Sequence, residues 1–235
     1  MWLPEPLRGI FGGRGSPPAG GASQASAAGA SSFPSRKPGG MDSMVTRPSR
    51  GLEEFFTYIR DETGLTILDL GGATQQNVSF ITNLGHRLYS EDFVQLMNEM
   101  FGADNVADQS NPGRIDYFLR QTLDYPEAQF DGVLVWDVLE YLAPALLAAV
   151  VERLRKIARP NSYLLAFFHS DDKLDAVPMY TFRIQDVKVI QMAPYGTHRP
   201  PQLFNNRGLE KLFGGFSSVK FFLARDRLRE VIVKA

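Results

Sequence analysis

Residues Ile67 to Asn77 read ILDLGGATQQN, an apolar run that ends in an acid, two glycines and a series of small and amide side chains. A strand that stops at an acid and a glycine brings bare main chain up to a ligand, as loops that hold a phosphate or a nucleoside require. Gly71 leaves the backbone accessible and Gly72 can bend freely, because neither carries a Cβ. The next two places where such loops hold glycine carry Ala73 and Gln75. Asp69 is therefore a candidate ligand-binding carboxylate, with a turn or helix cap as its plainer role. Three histidines, His86, His169 and His198, are the groups whose ordinary pKa suits proton exchange near neutrality. His169 directly follows the apolar run YLLAFF, which places it at a strand end and makes it the candidate base. No set of side chains has the spacing of a metal site, and the chain has no cysteine to serve as nucleophile or thiolate ligand.

The elements that must position these groups follow from apolar spacing. Helices are expected over Leu52–Arg60, Gln75–Leu84, Glu91–Phe101, Ala145–Ala158 and Arg207–Phe213. Short apolar runs predict strands over Thr66–Leu70, Arg87–Tyr89, Arg114–Leu119, Phe130–Trp136, Tyr163–Phe168, Val219–Leu223 and Glu230–Lys234. Strands alternating with helices imply an α/β, doubly wound, mainly parallel sheet with helices on both faces. The last two strands are joined too closely for a helical crossover, so they should form an antiparallel hairpin. Between His169 and the last helix, Ser170–Asn206 is longer than a simple connection, and YTFRIQDVKVIQM within it alternates enough to suggest a hairpin or lid on the substrate side. Tyr180, Phe182 and Tyr195 are its candidate walls.

Composition limits the rest. The 235 residues are 44% hydrophobic with a net charge of −1, enough for one core and without the basic patch of a nucleic-acid binder. No apolar run approaches the roughly 18 residues of a membrane span, and the lack of cysteine fits a soluble protein of the reducing cytoplasm. Residues 1–48 are rich in Gly, Pro, Ala and Ser and are expected to be a disordered tail, with the folded domain over 49–235. Met41 and Met44 stand at that boundary, where an alternative start would fall.

The order of these segments resembles the class I S-adenosylmethionine-dependent methyltransferases, over roughly Leu52 to Ala235. ILDLGGATQ aligns with that family's LDLGCGTG, although its glycine pattern is degenerate. FDGVLVWDVLEYL (Phe130–Leu142) is similar to FDxVxxxxVLEHL, LRKIARPNSYLLAFF to LRxxLKPGGxLLxx, and LEKLFGGFSSVKFF to the family's late helix and strand. Each match alone is weak; four in order are strong for the fold. The resemblance implies a seven-stranded sheet and S-adenosylmethionine as cofactor, held by Asp69, Gly71, Gly72, Ala73 and Gln75. It implies that Glu91, 22 residues after Asp69, takes the ribose hydroxyls, with capping by Glu91 or Asp92 as the alternative. Leu119 would cover the adenine, while Trp136 and Asp137 would line the methyl-transfer site. For Trp136 a core position is the competing role, and Glu140 and Tyr141 read as solvent-facing cap residues. The implied activity is methyl transfer to a small-molecule acceptor, with His169 as base. Two alternatives stand beside it, a catalytically inactive methyltransferase-like binding protein and a dinucleotide-dependent oxidoreductase.

Overall fold

A computed structural model of the chain describes residues 44–102, 108–170, 175–224 and 226–235. Most of the expected tail lies outside the described residues. The elements begin with β1 (Val45–Pro48), α1 (Arg50–Ile59), β2 (Thr66–Asp69), α2 (Gln75–Asn83), β3 (Arg87–Ser90), α3 (Phe93–Phe101) and α4 (Pro112–Thr122). They continue with β4 (Phe130–Trp136), α5 (Pro144–Ile157), β5 (Ala158–His169), β6 (Val177–Asp186), β7 (Val189–His198), α6 (Asn206–Leu212), β8 (Ser218–Leu223) and β9 (Leu228–Lys234).

The helices begin where a short polar side chain can take up a free N–H. Ser49, Thr74, Asp92, Asn111 and Asn205 each accept from a backbone amide of the first turn of α1, α2, α3, α4 and α6. This chemistry corrects one expectation. Arg114–Leu119 lies in α4, not in a strand. Asn111 Oδ1 accepts from Gly113 N at 3.0 Å and Arg114 N at 3.2 Å, and Pro112 occupies the first turn, where its missing N–H costs nothing. Ile115, Phe118 and Thr122 then share one buried face at helical spacing.

Among the described residues the main sheet consequently has six strands, not seven, in the order β3-β2-β4-β5-β9-β8. β2 is parallel to both β3 and β4, and β4 is parallel to β5. β9 pairs antiparallel with β5 on one side and with β8 on the other. The chain moves outward from β2 to β3 and, in the opposite sense, from β4 to β5, so the order reverses between β2 and β4. Beyond the carboxyl ends of those two strands lies the crevice where such sheets place ligands.

A second sheet, β1-β7-β6, is antiparallel throughout. Its first strand is another correction. Val45–Pro48 carries the composition of the tail, yet it pairs with β7 from Val45↔Met192 to Pro48↔Val189. Backbone hydrogen bonding decides here, because a strand that docks on an existing ladder needs few apolar side chains of its own.

Apolar packing covers both faces of the main sheet. On one, Phe93, Phe101 and Phe118 of α3 and α4 meet in edge-on pairs beside Leu146, Val150 and Leu154 of α5. On the other, Phe55 and Phe56 of α1 pack with Trp136, Phe167 and Phe182. Gly132 makes room for α1, since a Cβ there would lie 2.7 Å from Phe55 Cζ.

A buried polar cluster fastens the start of the fold to its end. Glu230 of β9 accepts from Arg47 of β1, from the Ser49 hydroxyl at 3.0 Å and from the Gly51 N–H. Arg47 also pairs with Asp226. Glu230→Ala would leave the Arg47 guanidinium buried without its main counter-charge, and is expected to cost about 3–5 kcal/mol, read as a lower urea midpoint at unchanged slope.

Candidate functional site

Asp69 stands at the carboxyl end of β2 and is wholly buried. Its Oδ1 accepts from Gly71 N at 2.8 Å and from Trp136 Nε1 at 2.7 Å, and its Oδ2 from Asn77 Nδ2 at 3.1 Å. A carboxylate taken out of water is tolerable only with such partners. Asn77, likewise buried, extends the network. It donates to Phe182 O at 3.2 Å and accepts from Ile184 N at 2.8 Å, while Gln76 Nε2 donates to Ile184 O at 3.0 Å. The start of α2 is thereby laced to β6 of the second sheet.

Trp136 closes the crevice above this network. It sits at φ 55°, a left-handed conformation rare for a bulky residue, and its indole lies against the main chain of Gly71. A Cβ at position 71 would come within 2.6 Å of Trp136 Cδ1, so the first glycine of the loop is needed for the tryptophan. The indole stacks on Phe182, with centroids 5.1 Å apart and planes within 4°, and Phe182 in turn meets Tyr180 at 6.0 Å. Gly71, Trp136, Phe182 and Tyr180 form a continuous wall.

Outside the wall, a cavity of about 590 Å³ lies over the loop that follows β2. Gly71, Gly72, Ala73, Thr74, Gln75 and Gln76 border it on one side, with Ser79, Asp92, Thr181 and Arg183 around the remainder. Gly72, at φ 82°, donates its N–H to Glu91 O at 3.0 Å, and Gly71 bridges to Asp92, so the loops after β2 and β3 are joined through their main chains. The Glu91 carboxylate accepts from Tyr125 Oη at 2.5 Å. Gln75 is exposed at the border of the cavity, where its amide donates to the Ser79 hydroxyl at 3.1 Å. Leu119 packs into the core from α4 and is absent from the cavity lining. The structure thus gathers Gly71, Gly72, Ala73 and Gln75 at one cavity. Asp69 and Trp136 lie beneath it, Glu91 joins the loop through its main chain while its carboxylate turns to Tyr125, and Leu119 and Asp137 make their contacts elsewhere.

A second group lies on the far side of the wall. Glu140, expected at the surface, is buried, and both its oxygens face His169 at the end of β5. Oε1 accepts from His169 N and Oε2 contacts Nδ1, each at 2.6 Å. Burial alone would depress the His169 pKa, but the bond and charge of Glu140, reinforced by Asp137 and Asp226, outweigh it and raise the pKa above the ordinary histidine value. Asp137 is buried too, and accepts from the Tyr141 hydroxyl and from Tyr180 N. The hydroxyl of Tyr141, buried beside Asp137, is held well above the ordinary tyrosine pKa by that burial and by the neighbouring carboxylate. His169, Tyr180 and Leu228 line a small cavity of about 170 Å³. His86, by contrast, is buried at the start of the β3 region with its pKa lowered by desolvation, away from both cavities. Glu140 was missed because VLEY reads as a cap, and only the 3-10 turn over Val138–Tyr141 swings its side chain inward.

No protein-family model matches the chain, and no curated protein matches it. Among solved structures it is similar to an S-adenosylmethionine-dependent methyltransferase from Archaeoglobus fulgidus, at 12% identity and TM-score 0.46, over 78% of this chain and 91% of that one. It is similar to 1,6-didemethyltoxoflavin-N1-methyltransferase of Burkholderia thailandensis, solved with 1,6-didemethyltoxoflavin and S-adenosylhomocysteine, at 12% identity and TM-score 0.43, over 78% and 76% of the two chains. A methyltransferase from Aquifex aeolicus gives 10% identity and TM-score 0.40, over 79% and 89%. Likeness at this level assigns no activity.

Glu140→Gln removes the charge that holds the His169 proton. Nitrogen-15 NMR of the imidazoles should show the His169 pKa falling below its wild-type position, with His86 unmoved. A raised folded pKa contributes stability at low pH that is lost as pH rises through it. The stability gap between wild type and Glu140→Gln should therefore be widest below the ordinary histidine pKa of about 6.5 and narrow above the raised one.

Proposed function

We propose that this protein is an S-adenosylmethionine-dependent methyltransferase acting on a small-molecule acceptor, with the cofactor's amino-acid end in the cavity over Gly71–Gln76. The observation that carries the reading is where that cavity lies: on the loop after β2, at the reversal of strand order, with the main chain of two glycines on its border. Its volume of about 590 Å³ falls among those of small-molecule sites. The lining fits the group. Arg183 would hold a carboxylate and Asp92 an ammonium, the two charges of a methionyl moiety, and Thr181 and Gln75 add a hydroxyl and an amide. Asp69 is given a structural role in this reading, because its oxygens serve Gly71, Trp136 and Asn77.

The cofactor, when bound, supplies an electrophilic methyl group on a sulfonium. The chain's own work is to align the reactants and to take up a proton where the acceptor carries one. His169 is the base in this proposal, with Nδ1 engaged by Glu140 so that Nε2 is the nitrogen left to accept. The β6–β7 hairpin serves as the lid over both cavities. Lack of cysteine fits action in the cytoplasm.

A second reading, a binding protein without turnover, is favoured by one observation. Trp136 and Phe182 fill the space between the loop cavity and His169, so donor and acceptor sides are separated in this conformation.

Calorimetry on the full chain distinguishes these readings. S-adenosylmethionine and S-adenosylhomocysteine should bind at micromolar affinity, at least tenfold more weakly in Ala73→Tyr, whose exposed side chain would enter the cavity without altering the melting temperature. Silence toward both ligands supports the binding protein, and affinity for NAD alone supports the oxidoreductase.

A further inference from the structure

The cavity beyond the aromatic wall has its own chemistry. It holds about 170 Å³ and is lined by His169, Pro178, Tyr180, Met192, Asp226, Arg227 and Leu228. Pro178, Met192 and Leu228 give it apolar walls, and the Tyr180 ring lies within 18° of parallel to the His169 imidazole at 6.3 Å. A protein cavity of about 150 Å³ accepts one benzene ring, so this one accommodates a single six-membered ring. Met192 and Tyr180 are good neighbours for such a ring, through sulfur–aromatic and stacking contacts.

The polar features select what the ring carries. Glu140 spends both oxygens on His169, one on its backbone N–H and one on Nδ1, which fixes the ring and makes Nδ1 the protonated nitrogen of the neutral form. Nε2 makes no hydrogen bond to the described residues, and it is not among the buried polar atoms left without one. His169 lines the cavity, and in the neutral form of its ring Nε2 is the nitrogen that can accept from a donor there. Glu140, Asp137 and Asp226 surround the histidine with negative charge, which disfavours an anionic guest; Arg227 lies at the exposed rim, and Arg47, paired to Asp226, is buried behind it. A neutral hydroxyl on an aromatic ring satisfies each constraint. A phenol, with a pKa of about 10, also gives its proton to an imidazole far more readily than an alcohol does.

We propose that this cavity binds a phenolic hydroxyl, which donates to Nε2 of His169, with Glu140 as the positioning residue that keeps that nitrogen available. In the transfer the phenol O–H bond breaks, the proton passes to Nε2, and the electron pair stays on oxygen as phenolate. The assignment of this phenol as the acceptor rests on the methyltransferase reading; its binding does not.

The test uses the full chain labelled with nitrogen-15 histidine, whose three residues are assigned through His169→Gln, and phenol as the probe. Phenol should shift the His169 Nε2 resonance saturably and leave His86 and His198 in place. Glu140→Gln should weaken binding at least fivefold with the fold intact by circular dichroism. Benzene should bind more weakly and leave the Nε2 resonance unmoved. The proposal is overturned if phenol leaves His169 untouched, or if benzene, phenol and both variants bind alike. S-adenosylhomocysteine calorimetry on the same sample separates the two claims. Phenol binding without cofactor binding keeps this site and removes the methyltransferase; cofactor binding without a His169 response removes this site alone.

Discussion

The arrangement at the carboxyl ends of the strands depends on how one buried charge is satisfied. Asp69 ends β2 with no access to water, and the three groups that neutralise its cost come from three places: its own loop, α2 and β4. Each donor then constrains something else. Gly71 must turn its amide inward, Trp136 must adopt its left-handed backbone to bring the indole N–H down, and Asn77 must face β6, where its amide completes the ladder at Phe182 and Ile184. Removing Asn77 takes from Asp69 Oδ2 its amide donor, and removing Trp136 takes one of the two donors on Oδ1, and a lost donor to a buried carboxylate costs more than the bond itself contributes. The loop, the wall and the second sheet are therefore set by one carboxylate.

That arrangement also explains the separation of the two cavities. Aromatic stacking of Trp136 on Phe182 joins the main sheet to the β6–β7 hairpin, and the same stack forms the partition. Any rotation of the Trp136 side chain would break its bond to Asp69 and its contact with Gly71. The partition is held by a few specific contacts, not by a thick layer of core.

Much of this was legible in the sequence because it rests on local rules. The loop at Gly71 and Gly72, the alternation of strands and helices and the hairpin-like pattern of YTFRIQDVKVIQM all express short-range spacing. What was hidden depends on partners far along the chain. RIDYFL has the composition of a strand, and only Asn111 and Pro112 ahead of it declare a helix. Trp136 reads equally as core or as ligand wall until Asp69, 67 residues earlier, claims its indole. Glu140 looks like a surface cap until His169 arrives from β5, and Val45–Pro48 looks like tail until β7 offers a ladder. Burial of a polar residue is a property of the pair, and one sequence position cannot show it.

The helix α4, standing where a further strand was expected, leaves β3 as the outermost strand on its side of the sheet. Such a strand presents unpaired backbone groups to any other chain and invites self-association. Here the hazard is small. β3 has only four residues, and the exposed side chain of Arg87 would set a charge against any incoming strand. A brief border that begins on a charge gives an incoming strand little to pair with at β3.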